Sequence, residues 1–186
     1  AGMGPGKGVL VIGSGIAGLL HIQLARAVGA GRIVATDIVD YRLEAALRFG
    51  AESALPAPEA TPERLRQAFG GRLPELVIVC TGAASAIRQG LAAVERGGTV
   101  LLFAPSEPGA TIPLPLNEFW FNGATLATTY AGSPADYKAA LELIRARRVR
   151  VGEMITHRLG LGEAALGFRL VAEAGHSIKV IIQPQR

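Results

Sequence analysis

Residues 9–20 read VLVIGSGIAGLL, a short apolar run that leads into a glycine-rich turn. The four apolar residues at its start indicate a strand buried on both faces, as in a parallel sheet. Gly13, Gly15 and Gly18 then form the pattern G-x-G-x-x-G between this predicted strand and a predicted helix. In that context the first glycine permits a tight turn, the second lets the backbone approach a pyrophosphate, and the third allows the helix to pack closely on the strand. The alternative is a glycine turn without a ligand.

Strands and helices alternate along the rest of the chain. Apolar runs predict further strands over 33–36, 76–79, 99–103 and 125–129, and helical spacing predicts helices between them, one of them over 84–94. Such alternation requires right-handed crossovers and a parallel sheet, so we predict a doubly wound α/β fold.

The chain continues past this sheet with smaller elements. Ser133-Pro134-x-Asp136 predicts the start of a helix, and Thr61-Pro62 has the same pattern of a capping residue followed by proline. A strand near Ile155, a helix over about 163–173 and a final strand over 178–182 complete a C-terminal α/β extension.

Composition excludes several classes of protein. Aromatic residues make up 5% of the chain, so the net charge of +4 is not accompanied by the aromatic pattern of nucleic-acid binding. No apolar stretch is long enough to cross a membrane, and a single cysteine cannot form an internal disulfide. The first residues contain neither an initiator methionine nor a signal segment. We expect a cytoplasmic protein, of which this chain is a piece.

Asp37 stands at the end of the second predicted strand, 24 residues after Gly13. A carboxylate at this place accepts hydrogen bonds from the adenosine ribose of a dinucleotide and repels a 2′-phosphate, which predicts NAD rather than NADP. The alternative is that Asp37 caps the following helix. Asp40 is the better placed cap, so the ribose role is favoured.

Four stretches together resemble the coenzyme domain of medium-chain dehydrogenases, in the zinc-dependent alcohol, polyol and threonine dehydrogenase branch. They are VLVIGSGIAGLLHIQLARAVGA, RIVATDIVDYRLEAALRFGA, VIVCTGAASAIRQGLAAVERGGTVLLFA, and ITHRLGLGEAALGF with the closing SIKVII. The resemblance implies a Rossmann sheet of six parallel strands in the order 3-2-1-4-5-6, in an enzyme where NAD takes a hydride from a zinc-bound alcohol or polyol.

The resemblance also implies which residues contact the cofactor. Arg42 matches a basic residue beside the ribose, with a solvated helix charge as the alternative. The segments that close the fourth and fifth strands pass the cofactor and hold the nicotinamide amide, and a basic residue in the last strand reaches the pyrophosphate. The full set is Gly13, Gly15, Ile16, Ala17, Gly18, Asp37, Ile38, Arg42, Thr81, Gly82, Leu102, Phe103, Ala104, Tyr130 and Lys179.

The family's catalytic domain, with its zinc ligands and proton relay, has no counterpart here. Cys80, His21, His157 and His176 lie on separate predicted elements without a shared ligand spacing, and we assign no catalytic residue and no metal ligand. Cys80 is expected to be a small buried residue and His21 a surface or packing residue. The isolated chain is therefore expected to be inactive.

The resemblance further divides the chain into an NAD-binding domain over 1–130 and an extension over 131–186, which packs partly on the absent domain. The final apolar strand, 180–182, is expected to lack a partner, and an exposed strand edge invites pairing with another chain. Related enzymes extend the sheet across a two-fold axis near residues 125–129, which implies a homodimer.

Other functions remain to be weighed. A stand-alone module that binds or senses NAD would have the same glycine turn. A short-chain reductase requires Tyr-x-x-x-Lys, and Tyr41, Tyr130 and Tyr137 all lack the lysine. A methyltransferase with the same turn stays open, because fold alone does not fix function.

Overall fold

The computed structural model describes residues 1–185 and contains one sheet of six parallel strands. The strand order is β3-β2-β1-β4-β5-β6, which confirms the predicted doubly wound topology and strand order. The strands are β1 Val9–Ile12, β2 Ile33–Asp37, β3 Ser53–Pro56, β4 Leu76–Val79, β5 Thr99–Leu102 and β6 Thr125–Thr128.

Helices cover both faces of the sheet, and a smaller α/β unit follows it. The helices are α1 Ile16–Ala27, α2 Asp40–Phe49, α3 Pro62–Ala68, α4 Ala84–Ala92, α5 Leu116–Asn122, α6 Pro134–Arg145 and α7 Ala164–Glu173. Single 3-10 turns lie at Ala57–Glu59, Gly152–Met154 and Leu161–Glu163. The last two strands, β7 Ile155–Gly160 and β8 Lys179–Gln183, form a separate two-stranded sheet.

Burial of β1 on both faces explains its uninterrupted apolar sequence. Val9 and Val11 pack with the α1 residue Ile22 in one core layer. Leu10 and Ile12 point to the opposite face and join the layer that includes α3 and α4. Side chains alternate between the two faces of a strand, so a central parallel strand must be apolar at every position.

Two of the predicted helix starts are confirmed by their caps. The Thr61 hydroxyl accepts a hydrogen bond from the Arg64 N–H at 3.3 Å, and Pro62 occupies the first turn. Ser133 and Asp136 form a reciprocal capping box, in which the Asp136 carboxylate accepts the Ser133 N–H at 2.7 Å.

The final apolar strand has a partner, contrary to the expectation for residues 180–182. β8 pairs in parallel with β7, and His157 stands opposite Val180 in the register. Two parallel strands need a crossover connection, which α7 provides here. The sequence patterns predicted these strands and this helix but did not indicate that the two strands pair.

The extension is joined to the main core through buried groups. Met154 and Ile178 belong to the core layer that contains β1 and α1. Gln23, a buried α1 residue, donates to the Met154 sulfur at 3.4 Å and accepts the Arg150 N–H at 2.7 Å. Because a buried amide must be satisfied, these bonds fix the extension on the sheet domain.

Two elements were not predicted from the sequence. β3 is the third strand of the sheet and has no apolar run, because its residues are only half-buried at the edge. α5 follows residues 105–115, which contain four prolines. No helix within residues 1–185 has the length and apolar character that a bilayer span needs.

Candidate functional site

A cavity of about 580 Å³ lies at the carboxyl ends of the central strands, between the glycine turn and the extension. In open α/β sheets, ligands bind in the crevice outside these strand ends, where the strand order reverses. Eight of the residues assigned to cofactor binding line this cavity, namely Gly13, Gly15, Ile16, Ala17, Asp37, Ile38, Arg42 and Thr81.

The three glycines of the turn differ in what surrounds them. Gly13 has a φ of +90°, which side-chain-bearing residues rarely adopt. A Cβ on Gly15 would have no atom nearer than 3.9 Å, where the Arg42 guanidinium lies, so a ligand can approach this backbone closely. A Cβ on Gly18 would collide with the Gly13 carbonyl oxygen, so only glycine lets α1 pack this closely on the turn.

The N-terminus of α1 opens into the cleft. Gly15 is its N-cap, no acidic residue stands in the first turn, and Ile16 and Ala17 line the cavity. Free N–H groups and the positive end of the helix dipole favour an anion at such a terminus. Arg42 adds a full positive charge beside Gly15, and its buried Nε has no hydrogen-bond partner among the described residues.

The Asp37 carboxylate organises the backbone around the turn. It is only 6% exposed, and it accepts the Ser14 N–H at 2.7 Å and the N–H groups of Ile38 and Val39 at 2.8 and 3.0 Å. A carboxylate has about four acceptor positions, so about one remains for a ligand in the cleft. Asp37 thus ties the glycine turn to the end of β2.

The prediction that Asp40 caps α2 is wrong. Asp40 is the first residue of the helix, its N-cap is Val39, and no side chain caps this terminus. Asp37 instead binds the two N–H groups just before the helix, because a short acidic side chain reaches the backbone one and two residues ahead. Asp40 contributes only a negative charge to the first turn.

The remaining assigned residues lie outside the cavity. Gly82 lies where a Cβ would collide with the Pro105 carbonyl oxygen, so it lets the loops after β4 and β5 pack together. The N–H groups of Phe103 and Ala104 both donate to the Val79 carbonyl oxygen, and the Tyr130 side chain is 99% exposed. Gly18, Gly82, Leu102, Phe103, Ala104, Tyr130 and Lys179 are not part of the cavity wall.

Several cavity residues were not found by sequence reasoning. Val171, Ser177 and Ile178 bring the extension to the cavity wall, and His176 contacts the Tyr41 ring edge to face at 5.5 Å between ring centres. At the other end, the wall includes Thr36, Ala57, Pro58 and Gln89. No local pattern marks these positions, because they meet only when the chain folds.

Cys80 lines the cavity and is only partly buried, which differs from the expectation of a buried residue, and His21 lies beside it although the two are on different elements. The Cys80 sulfur is 3.6 Å from the His21 Nδ1, which lies 2.9 Å from the Ala17 carbonyl oxygen, and Phe103 contacts the His21 ring. Burial lowers the pKa of His21 and raises the pKa of Cys80 to about 12. Near neutral pH the imidazole is uncharged and the thiol is protonated, so the pair lacks a reactive thiolate.

The described residues do not fit a catalytic zinc ion. Within residues 1–185, no three His, Cys, Asp or Glu side chains are close enough together to bind one metal ion. A catalytic zinc site needs about three protein ligands, and Cys80 with His21 supplies at most two.

Known proteins are similar to this chain over nearly its whole length. Residues 17–146 match the family described as zinc-binding dehydrogenase. Sorbitol dehydrogenase of Ovis aries is 31% identical over 189 residues, which cover 98% of this chain and 51% of that protein. L-threonine 3-dehydrogenase of Bacillus subtilis is 32% identical over 176 residues, which cover 94% of this chain and 50% of that protein.

Solved structures agree with this result. Alcohol dehydrogenase TADH from Thermus sp. ATN1 has a TM-score of 0.88 and 30% identity, over 96% of this chain and 51% of that one. A zinc-binding dehydrogenase from Clostridium scindens has a TM-score of 0.89 and 27% identity, over 99% and 52% of the two chains. The chain therefore spans about half the length of the relatives it matches. With the family match extending over most of its residues, the chain belongs to the zinc-binding dehydrogenase family.

Proposed function

We propose that this chain is the cofactor-binding part of an NAD-dependent, zinc-dependent alcohol or polyol dehydrogenase, or of a threonine-type one. The observation that carries the proposal is the cleft in which the open backbone of Gly15, the N-terminus of α1 and the Asp37 carboxylate converge. These are the groups that a dinucleotide requires for its pyrophosphate and its adenosine ribose. The sorbitol and threonine dehydrogenases among the relatives support the choice of substrate class.

The chain's own residues bind and orient the cofactor. The N–H groups at the start of α1 hold the pyrophosphate, with the Arg42 guanidinium beside them. The free acceptor position of Asp37 takes a ribose hydroxyl, and its charge disfavours the 2′-phosphate of NADP. NAD, when bound, accepts a hydride from the alcohol. The zinc ion and the substrate pocket are assigned to the half of the enzyme outside this chain.

The nicotinamide end of the cofactor is assigned to the segments after β4 and β5. Thr81 already lines the cavity, and Leu102 to Ala104 follow the next strand of the sheet. Tyr130 and Lys179 are exposed, so we propose that they reach the cofactor only when the second half of the enzyme is in place.

Calorimetric titration of the chain with NAD, NADP and S-adenosylmethionine tests the proposal. Binding of NAD in preference to the other two is the expected result. Binding of S-adenosylmethionine alone would instead indicate a methyltransferase. If NAD binds, an assay with alcohols and polyols, in the presence and absence of the second half, separates a dehydrogenase part from a stand-alone NAD-binding module.

The division of the chain follows from the same proposal. We assign residues 1–130 to the NAD-binding domain and 131–186 to an extension that packs partly on the catalytic domain. The apolar face of α6, formed by Tyr137, Leu141 and Ile144, is exposed along its length, and so is Phe168 of α7. Exposed apolar side chains along one helix face support a missing packing partner.

We also propose a homodimer formed through β6, and a cytoplasmic location for the enzyme. β6 is the last strand of the sheet, and its outer edge is free in the described part of the chain. Trp120 and Phe121, on the helix before it, are 80% and 72% exposed. An open edge beside exposed aromatic residues favours pairing with a second chain. Sedimentation equilibrium measures the association, and a chain that stays monomeric would contradict the dimer.

A further inference from the structure

The end of the cleft beyond Asp37 forms an apolar slot with one polar side chain on its wall. If the glycine turn holds the pyrophosphate and Asp37 holds the ribose, the base attached to that ribose continues into this slot. This step rests on the proposed function. The slot is formed by Ile38, Ala57, Pro58, Ala83, Ala86 and Gln89.

The amide group of Gln89 has a fixed orientation. Its Nε2 donates to the carbonyl oxygens of Ala57 and Ala60, at 2.8 and 3.2 Å. Both partners are acceptors, so only the NH₂ group of the amide can face them. The Oε1 atom has no partner among the described residues, and Gln89 lines the cavity. The wall of the slot therefore presents a hydrogen-bond acceptor to a ligand.

We propose that Gln89 reads the base of the dinucleotide and selects a 6-aminopurine over a 6-oxopurine. The Gln89 Oε1 accepts from the exocyclic amino group of adenine. Hypoxanthine carries an oxygen in place of the amino group, so an acceptor would face the Gln89 acceptor. The apolar slot binds the flat faces of both bases equally, so discrimination comes from the edge.

The test compares the dissociation constants of NAD and nicotinamide hypoxanthine dinucleotide for the full chain. We expect the wild-type chain to bind NAD about tenfold more tightly, which is the size of one hydrogen bond gained and one unpaired acceptor avoided. In Gln89→Lys, the ammonium group can still donate to the two loop carbonyls but presents no acceptor, so the preference should disappear or reverse.

A matched control separates base reading from charge and from folding. Gln67→Lys adds the same charge at an exposed α3 residue outside the cleft, and it should leave the ratio of the two constants unchanged. If Gln89 only holds the loop of residues 57–60, its replacement weakens both ligands equally and the ratio stays constant, which would refute the inference. Equal binding of the two dinucleotides by the wild-type chain would refute it as well. Failure of both to bind at all would instead refute the proposed function, and the inference with it.

Discussion

Replacement of Asp37 by serine should change both the stability of the chain and its choice of cofactor. The carboxylate accepts three backbone N–H groups at 2.7–3.0 Å, and each hydrogen bond to a buried charged group is worth about 1.5–3 kcal/mol. Serine and water replace part of the stabilisation that these hydrogen bonds provide, so Asp37→Ser should lower the free energy of unfolding by about 2–4 kcal/mol.

The effect on cofactor choice follows from charge. A carboxylate and a 2′-phosphate about 5 Å apart repel by about 3 kcal/mol at an effective dielectric constant of ~20, and solvent at the open cleft reduces this to about 1.5–3 kcal/mol. Without the charge, the preference for NAD over NADP should fall by about tenfold to a hundredfold. NAD itself should bind more weakly, because the ribose loses a charged acceptor.

Calorimetric titration of each variant with both dinucleotides measures the ratio of affinities, and denaturant unfolding measures stability. Asp37→Asn is the matched control, since it removes the charge but keeps the shape and one acceptor oxygen. Asp37→Asn should therefore lower the free energy of unfolding by less than Asp37→Ser does. Both variants should reduce the preference for NAD over NADP by the same amount. An unchanged NAD to NADP ratio in both variants would refute the ribose assignment, whatever happens to stability.

Three further predictions concern stability. Gly18→Ala should destabilise the chain by about 1–3 kcal/mol in thermal unfolding, because its Cβ would meet backbone, whereas Gly162→Ala, where nothing lies within 4 Å, should be nearly neutral. Burial raises the pKa of Cys80 to about 12, so this thiol should react more slowly with a thiol reagent in the folded chain than after unfolding. Above about pH 9 the free energy of unfolding should fall by about 1.4 kcal/mol per pH unit, because only the unfolded chain releases the proton, and Cys80→Ala should lack this pH dependence. Gln23→Leu leaves the Arg150 N–H without an acceptor and should cost about 1–3 kcal/mol in denaturant unfolding, and no loss would contradict a role in fixing the extension.

The parts of the fold that local physics determines were predictable from the sequence. The buried run of β1, the capping box at Ser133 and the Thr61-Pro62 start depend on residues close together in the chain. β3 was missed because an edge strand that is half-buried needs no apolar run, and its residues 53–56 include serine and proline. Asp40 was a reasonable cap by position, but it is the first residue of α2, and the Asp37 carboxylate binds the two N–H groups just before that helix.

The site was predictable only where the motif itself forms it. The glycine turn follows β1 and Asp37 ends the neighbouring strand β2, so their spacing in sequence carried enough information to place them in one cleft. Thr36, Gln89 and Ser177 reach the same cavity from a strand, a helix and the extension. Their roles depend on tertiary packing, which a residue pattern within one element does not record.

The cleft has walls from two parts of the chain, since Gly13 and Ile178 both line it although they are far apart in sequence. A ligand that touches both walls binds only when the extension is docked, so it shifts the local opening equilibrium of β7, α7 and β8 toward the closed state. The time that the extension spends undocked therefore falls as cofactor concentration rises. Occupancy of the cleft and order in residues 155–183 are therefore one linked equilibrium, through which a bound cofactor stabilises the surface that we assign to the other half of the enzyme.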